Sequence, residues 1–292
     1  TGFEKEDNIF PEMDYSIYSR HYRMKRRSGA GEEGRALKIL MLSWEFPPRT
    51  VGGLARHVHD LSRALARLGA SVHVITCPAQ GTPRYQFVEG VHVHRVEQAR
   101  LTSREFMEWV QQLNEAMVEL AGELVFSGPF DLVHAHDWLV GDAAQVLRNQ
   151  YRLPLVATIH ATEYGRNRGI HNELQRRIHE LDARFAAGAT RVICCSDFMA
   201  AEVKELFKIP GERIHILPNG VDPANLGIPR KLVPGWREPK SEGKTVFFIG
   251  RLVPETHVAL ARSGDQKRHA YLVGGDEHRI GSVLAQRPRQ RD

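Results

Sequence analysis

Apolar positions along this chain change their period just after residue 42. Residues 37–42, LKILML, form a short apolar run closed by Pro47 and Pro48, the pattern of a strand buried on both faces. Beyond it Leu54, Val58, Leu61, Leu65 and Leu68 recur at spacings of four and three, which predicts a helix over 53–69 with one apolar stripe. That stripe packs most simply on the strand before it. The alternation then continues, with strands predicted at 37–43, 71–76, 91–96, 131–135, 154–159, 190–195 and 213–217 and helices at 53–69, 104–126, 138–150, 171–188 and 197–207. Helix 104–126 carries its stripe in Phe106, Val110, Leu113, Met117, Leu120 and Leu124. Such a chain is of the α/β class: a Rossmann-like parallel sheet built from βαβ units, with helices on both faces and ligands outside the carboxyl ends of the strands.

The rhythm has two interruptions. Residues 1–36 run from acidic through aromatic to basic and end in the glycine-rich SGAGEEG, an appendage and linker. Residues 218–244, PNGVDPANLGIPRKLVPGWREPKSEGK, are rich in proline and glycine and read as a hinge between domains. Organisation therefore reads as an appendage over 1–36, a complete domain over 37–222, a linker over 223–244 and an incomplete second domain over 245–292. The second domain opens on the apolar TVFFI followed by Gly250-Arg251. Its length falls short of a doubly wound sheet, since one βαβ unit alone takes ~30 residues.

Composition narrows the class. A 292-residue chain that is 42% hydrophobic and 26% charged is globular. Its net charge of +5 gathers at the ends, in Arg20, Arg23, Lys25, Arg26 and Arg27 and in Arg287, Arg289 and Arg291. Without interleaved aromatics these runs read as solvated tails, so no nucleic-acid partner is expected. Cys77, Cys194 and Cys195 make neither a disulfide framework nor a metal spacing and read as small buried residues at strand ends. A reducing, cytoplasmic setting is the expectation, and no stretch is long and apolar enough for a membrane span.

Four strand-end loops could carry chemistry. Thr50-Val51-Gly52-Gly53 lies where a strand end becomes a helix start, either a glycine-assisted turn or a seat for phosphate on free N–H groups. HAHDWLVGD brings His134, His136, Asp137 and Trp138 to a carboxyl end. His134 and His136, a residue apart, could be one packed and one exposed; Asp137 is a candidate helix cap; and His136 with Asp137 lacks the third ligand of a zinc site. TIHATEYGRNRG contributes His160, Glu163, Tyr164, Arg166 and Arg168, the arginines also fitting a solvated loop, and PNGVD opens the hinge. Histidine and carboxylate at strand ends suit hydrogen bonding to a polyol and stabilisation of charge in a transition state.

Taken together, SWEFPPRTVGGLARHV, VHAHDWLVG, ATIHATEYGRNRG, CCSDFM, PNGVD and FFIGRLVPE resemble the retaining GT-B glycosyltransferases of family four, within them the glycogen and starch synthase branch. The resemblance covers about residues 37–255. It implies transfer of glucose from ADP-glucose or UDP-glucose to the nonreducing 4-hydroxyl of an α-1,4-glucan, with no metal and no cofactor. By it, Gly52, Gly53 and Arg251 face the donor, Asp137 and His160 are catalytic, and Trp138, Glu163 and Tyr164 lie towards the acceptor. The stretch DNIFPEMDYSIY resembles the tail of glycoside hydrolase family fifty-seven branching enzymes and implies a fusion to one. Two features depart from the family. Thr256-His257 stand where Lys-Gly is expected, and the family's glutamate pair has no counterpart, although HAYLVGGDEH resembles a later strand and loop. A deletion, a frameshift or a partial sequence each account for this. The alternative function is a noncatalytic glucan-binding or regulatory module.

Overall fold

The computed structural model describes residues 36–220 and three further strands, at 245–249, 269–274 and 281–283. Contacts divide the chain into two compact units, Thr1–Val221 and Asp222–Asp292. The appendage with its branching-enzyme-like stretch, the hinge beyond Gly220, Arg251, Thr256-His257 and both terminal arginine clusters lie outside the described residues.

In the first unit the elements follow as β1 (Lys38–Leu42), α1 (Gly53–Arg67), β2 (Ser71–Thr76), β3 (Tyr85–Val88), β4 (Val91–Arg95), α2 (Phe106–Phe126), β5 (Leu132–His136), α3 (Gly141–Tyr151), β6 (Leu155–Ile159), α4 (Glu163–Asn167), α5 (Glu173–Gly188), β7 (Arg191–Cys194), α6 (Asp197–Phe207) and β8 (Ile214–Ile216). They form one sheet in the order β3-β4-β2-β1-β5-β6-β7-β8. Every pairing is parallel except that of β3 with β4. The sheet is Rossmann-like, as the alternation predicts. Its one antiparallel strand escapes the sequence pattern because YQFV is short and half exposed; it is a hairpin partner of β4 through Glu89 and Gly90, both at positive φ (53° and 85°), as a two-residue primed turn requires.

Side chains of β1 alternate between two cores. Ile39 and Met41 join Val72, Val74, Val91 and Val93 under Leu54 and Val58 of α1. Leu40 and Leu42 join Leu113 and Met117 of α2, Leu147 of α3, Phe185 of α5 and Val203 of α6. Helices therefore cover both faces. The stripes end short of their predicted limits: Leu68 is 85% exposed because α1 stops at Arg67, and Phe106 at the start of α2 is 44% exposed.

The chain leaves β1 towards β2 and β4, then returns through α2 to place β5 on the other side of β1. The strand order thus reverses between β1 and β5, and the loops at the carboxyl ends there bound a ready-made crevice. Asn114, buried on α2, pins that region: its amide donates to the carbonyls of Val110 (2.7 Å) and Leu139 (2.8 Å), and its oxygen accepts from the Ala143 N–H (2.8 Å). Asn114→Ala leaves the Leu139 carbonyl and the Ala143 amide without partners. It is expected to lower unfolding free energy by ~2–4 kcal/mol, read from urea midpoints; a loss within error of zero would show that water replaces the side chain.

In the second unit, β9 (Thr245–Ile249) pairs parallel with β10 (His269–Gly274), and β10 pairs antiparallel with β11 (Gly281–Val283).

Candidate functional site

The carboxyl ends of β5, β6 and β7 and the first turn of α1 converge at the switch point. His134 and His136 lie on the same face of β5, both buried (7% and 0% exposed), because alternate residues of a strand point the same way; neither is the exposed partner of the other. His134 Nε2 meets the Thr158 hydroxyl at 2.8 Å.

Asp137 follows with φ 61° and ψ 167°, a backbone region that costs a residue with a side chain about 1–3 kcal/mol. The twist turns its carboxylate away from the short helical turn it precedes, which receives no side-chain cap, and across to the next loop. There Oδ1 accepts from the His160 N–H at 2.9 Å, the Ala161 backbone also contributes, and Arg166 stands 3.6 Å from Oδ2. Burial pushes the Asp137 carboxyl up, against the pull of Arg166 and the two loop amides.

His160 thus sits in a loop whose backbone Asp137 holds. Its Nε2 is 3.2 Å from His136 Nδ1, its Nδ1 is 4.0 Å from Cys195 Sγ, and its ring lies 4.7 Å from that of His57. Burial first, then the charge of Arg166, holds the imidazole pKa down to about 4. It is neutral at physiological pH and able to donate or accept a hydrogen bond.

The remainder of this loop forms α4. Thr162 caps it by accepting from the Gly165 N–H. Glu163 is 9% exposed, its amide donating to Asp182 (2.8 Å) and its carboxylate accepting from Asn167 (2.8 Å). Asp182 beneath it is 3% exposed, and burial pushes its carboxyl up to about 8. Tyr164 is 40% exposed and is the face of this loop open to a ligand. Arg166 is no solvated bystander, since it bridges Asp137 and Glu163.

Trp138 departs from its expected place. It is 4% exposed among Val110, Leu139, Ile178 and Leu181; an indole covered this way offers no face to an acceptor sugar, so its role is in the core. The glycine turn also differs from expectation. Gly52 has an ordinary extended backbone (φ −151°) and lies against the Glu45 carboxylate, while a Cβ at Gly53 would meet nothing within 4 Å, so Gly53 supplies open space and neither glycine supplies unusual conformation. The N–H groups of Val51 and Gly52 already donate to the Glu45 carboxylate, at 2.6 and 3.0 Å.

Glu45, His57, Cys195 and Asn219 therefore join the site beyond the expected set. Of these His57 was detectable, since it falls three residues after Leu54 and four before Leu61, a polar residue on the apolar stripe of α1. Cys195 is half buried rather than buried, its thiol donating to Asn219 at 3.2 Å.

A doubly wound sheet with histidine, aspartate and arginine gathered at its switch point defines the class: the Rossmann-like half of a GT-B fold. Sucrose-phosphate synthase from Thermosynechococcus elongatus shares it at a TM-score of 0.63 and 18% identity, over 83% of this chain and 64% of that one. The catalytic domain of starch synthase IV from Arabidopsis thaliana shares it at a TM-score of 0.60 and 17% identity, over 82% and 69%. Residues 51–225 match Glycosyltransferase Family 4, and the chain belongs to that family. Glycogen synthase of Mycobacterium tuberculosis is 35% identical over 242 residues, covering 77% of this chain and 57% of the relative. The chain thus spans a little over half the length of the curated relatives it matches. Among the described residues no helix is long and apolar enough to cross a membrane.

Proposed function

We propose that the first unit is the acceptor-side domain of a retaining, cytoplasmic glycosyltransferase that moves glucose from ADP-glucose or UDP-glucose to the nonreducing 4-hydroxyl of an α-1,4-glucan. The observation that carries the reading is the strand-end loop from Asp137 to Arg166. It lies inside the family match in a chain 35% identical to a protein named glycogen synthase, and in it a buried carboxylate holds the backbone of His160, whose imidazole is neutral. In this reading the neutral His160 ring hydrogen-bonds a hydroxyl of the transferred sugar and holds the sugar in position for transfer. Asp137 is a positioning residue that fixes the His160 backbone. Tyr164 meets the glucan, Glu163 orders the loop beneath it, and the open approach at Gly53 admits the donor, with Arg251 assigned to its diphosphate.

Transfer of radiolabel from each nucleotide sugar to glycogen by the full-length protein tests the assignment. Incorporation into a small polyol with none into glycogen would overturn the acceptor, and glucan binding without any transfer would make the protein a binding module. For the 292-residue chain, maltoheptaose is expected to bind more tightly than ADP-glucose in calorimetry, because Glu45 occupies two amides of the phosphate seat. Sugar-nucleotide affinity then falls near the millimolar scale, a net binding energy of only about 4 kcal/mol. Micromolar ADP-glucose affinity with no glucan binding would reverse this order.

A further inference from the structure

We propose, resting on the glucan reading above, that Asp182 of α5 is a positioning residue: it holds the start of α4 in place and acts on the acceptor glucan through Tyr164.

α4 runs only from Glu163 to Asn167, too short to be stable by its own hydrogen bonds, and its first amides have no partners within the helix. The N-cap Thr162 serves one of them, its hydroxyl oxygen accepting from the Gly165 N–H at 2.9 Å. The Glu163 N–H finds its acceptor outside the loop, at Asp182 Oδ2, 2.8 Å away and 19 residues along the chain. α6 grips the loop a second time, where Glu202 accepts from the Thr162 hydroxyl at 2.5 Å. A Cβ at Gly165 would stand 2.7 Å from that carboxylate, so only glycine allows the loop to lie this close.

The anchor is buried and the ring it directs is not. Asp182 is 3% exposed and Glu163 9%, while Tyr164, the next residue, is 40% exposed. Where the Glu163 amide is fixed therefore decides where the tyrosine ring points. An acid is a costly choice for this place. Asp182 shares it with the carboxylates of Glu163 and Asp137 and with one guanidinium, that of Arg166. Burial, with Asp137 and Glu163 adding, pushes its carboxyl up to about 8 against the Glu163 amide and Arg166. A side chain present for packing alone would be apolar, and a buried acid kept beside a ligand loop points to function. Asp182 is neutral at pH 7, so asparagine matches it in shape and charge. His160 is held separately, by the bond of its N–H to Asp137. Loss of the Asp182 anchor loosens the glucan-facing ring and leaves that bond in place.

Steady-state kinetics of the full-length protein, with glucan and sugar nucleotide varied in turn, test the role. Asp182→Ala should raise the glucan KM about tenfold, or ~1.4 kcal/mol, the size of one hydrogen bond, with kcat and the sugar-nucleotide KM near wild type. Asp182→Asn keeps an oxygen for the Glu163 amide and should restore the glucan KM. Tyr164→Ala, alone or combined with Asp182→Ala, should give one and the same glucan KM, because a residue acting through the ring adds nothing once the ring is gone. Asp182→Val replaces the alanine variant where circular dichroism shows that protein to be misfolded. An unmoved glucan KM overturns the role, as does an equal rise in both KM values, a rise that Asp182→Asn does not relieve, or an additive effect in the double variant. Failure of both the alanine and the valine proteins to fold also overturns it, since the carboxyl is then a requirement of the fold. A wild-type protein that moves no glucose to a glucan overturns the functional reading itself; a wild type that does, with any of the contrary results above, overturns the role of Asp182 alone.

Discussion

His160→Ala in the full-length enzyme is expected to lower glucosyl transfer by ~10²–10³-fold, the size typical of one lost transition-state donor. The neutral ring stands at the carboxyl edge of β6, its Nε2 3.2 Å from His136 and its Nδ1 a loose 4.0 Å from Cys195, so Nδ1 is the nitrogen a sugar hydroxyl would engage. Asp137→Ala should cost at least ~10²-fold by a different route. Its carboxylate is 5% exposed and spent on the loop backbone, so the variant frees the loop that carries His160 and raises KM together with lowering kcat. Asp137→Asn keeps an oxygen for the His160 amide and should recover part of the loss, while no asparagine-like rescue is expected at position 160. Steady-state kinetics of the three variants, with folding checked by circular dichroism, separate the two roles. Near wild-type rates for a folded His160→Ala protein would return that ring to a packing role.

Acid should destabilise the first unit sharply. His73 and His94 are held down to about 3 and about 4, chiefly by burial and then by the neighbouring histidine His92, with Lys38 adding to the effect. His73 also faces Ser71 and the Phe130 ring, and His92 and His94 face Tyr85. Unfolded, both titrate near 6.5. Below that pH the unfolded chain binds protons that the folded chain refuses. The stabilisation is therefore complete above pH 6.5 and is lost as pH falls towards 4. Each such group contributes a slope of up to ~1.4 kcal/mol per pH unit. Two of them remove up to ~5 kcal/mol over two pH units, comparable with the whole stability of a marginal domain at ~5–15 kcal/mol. Urea midpoints across pH 7 to 4.5 should show the fall; His57, His134 and His160, likewise held down by burial, add to it, so His73→Leu should reduce the fall by one group's share, up to ~1.4 kcal/mol per pH unit. An unchanged slope in that variant would place the acid sensitivity elsewhere.

Much of this architecture is legible in the chain because its signals are local. Strand runs such as SVHVIT and helix stripes such as Leu113 and Met117 are set by neighbours in sequence, and their elements appear within a residue or two of the predicted limits. What was hidden depends on partners far along the chain. Nothing near Trp138 says that Ile178 and Leu181 will cover its ring, and nothing near Glu45 says that its carboxylate will turn onto amides six and seven residues later. His160 and Asp137 were visible as strand-end residues, but the hydrogen bond between them was not, since the twist at φ 61° that aims the carboxylate at the neighbouring loop leaves no mark in the residue order. His57 is the intermediate case: its place on the α1 stripe was readable, its meeting with two other histidines was not.

The Glu45 carboxylate means that the entrance to α1 comes with its own anion. A phosphate that takes the Val51 and Gly52 amides must first evict a glutamate that is 2% exposed, so association there is an exchange of one anion for another rather than an addition to free sites. The glutamate's release to solvent then belongs to any such binding, and its cost is subtracted from what the ligand gains at those amides. Selectivity at that turn would rest less on what the ligand touches than on what it is able to displace.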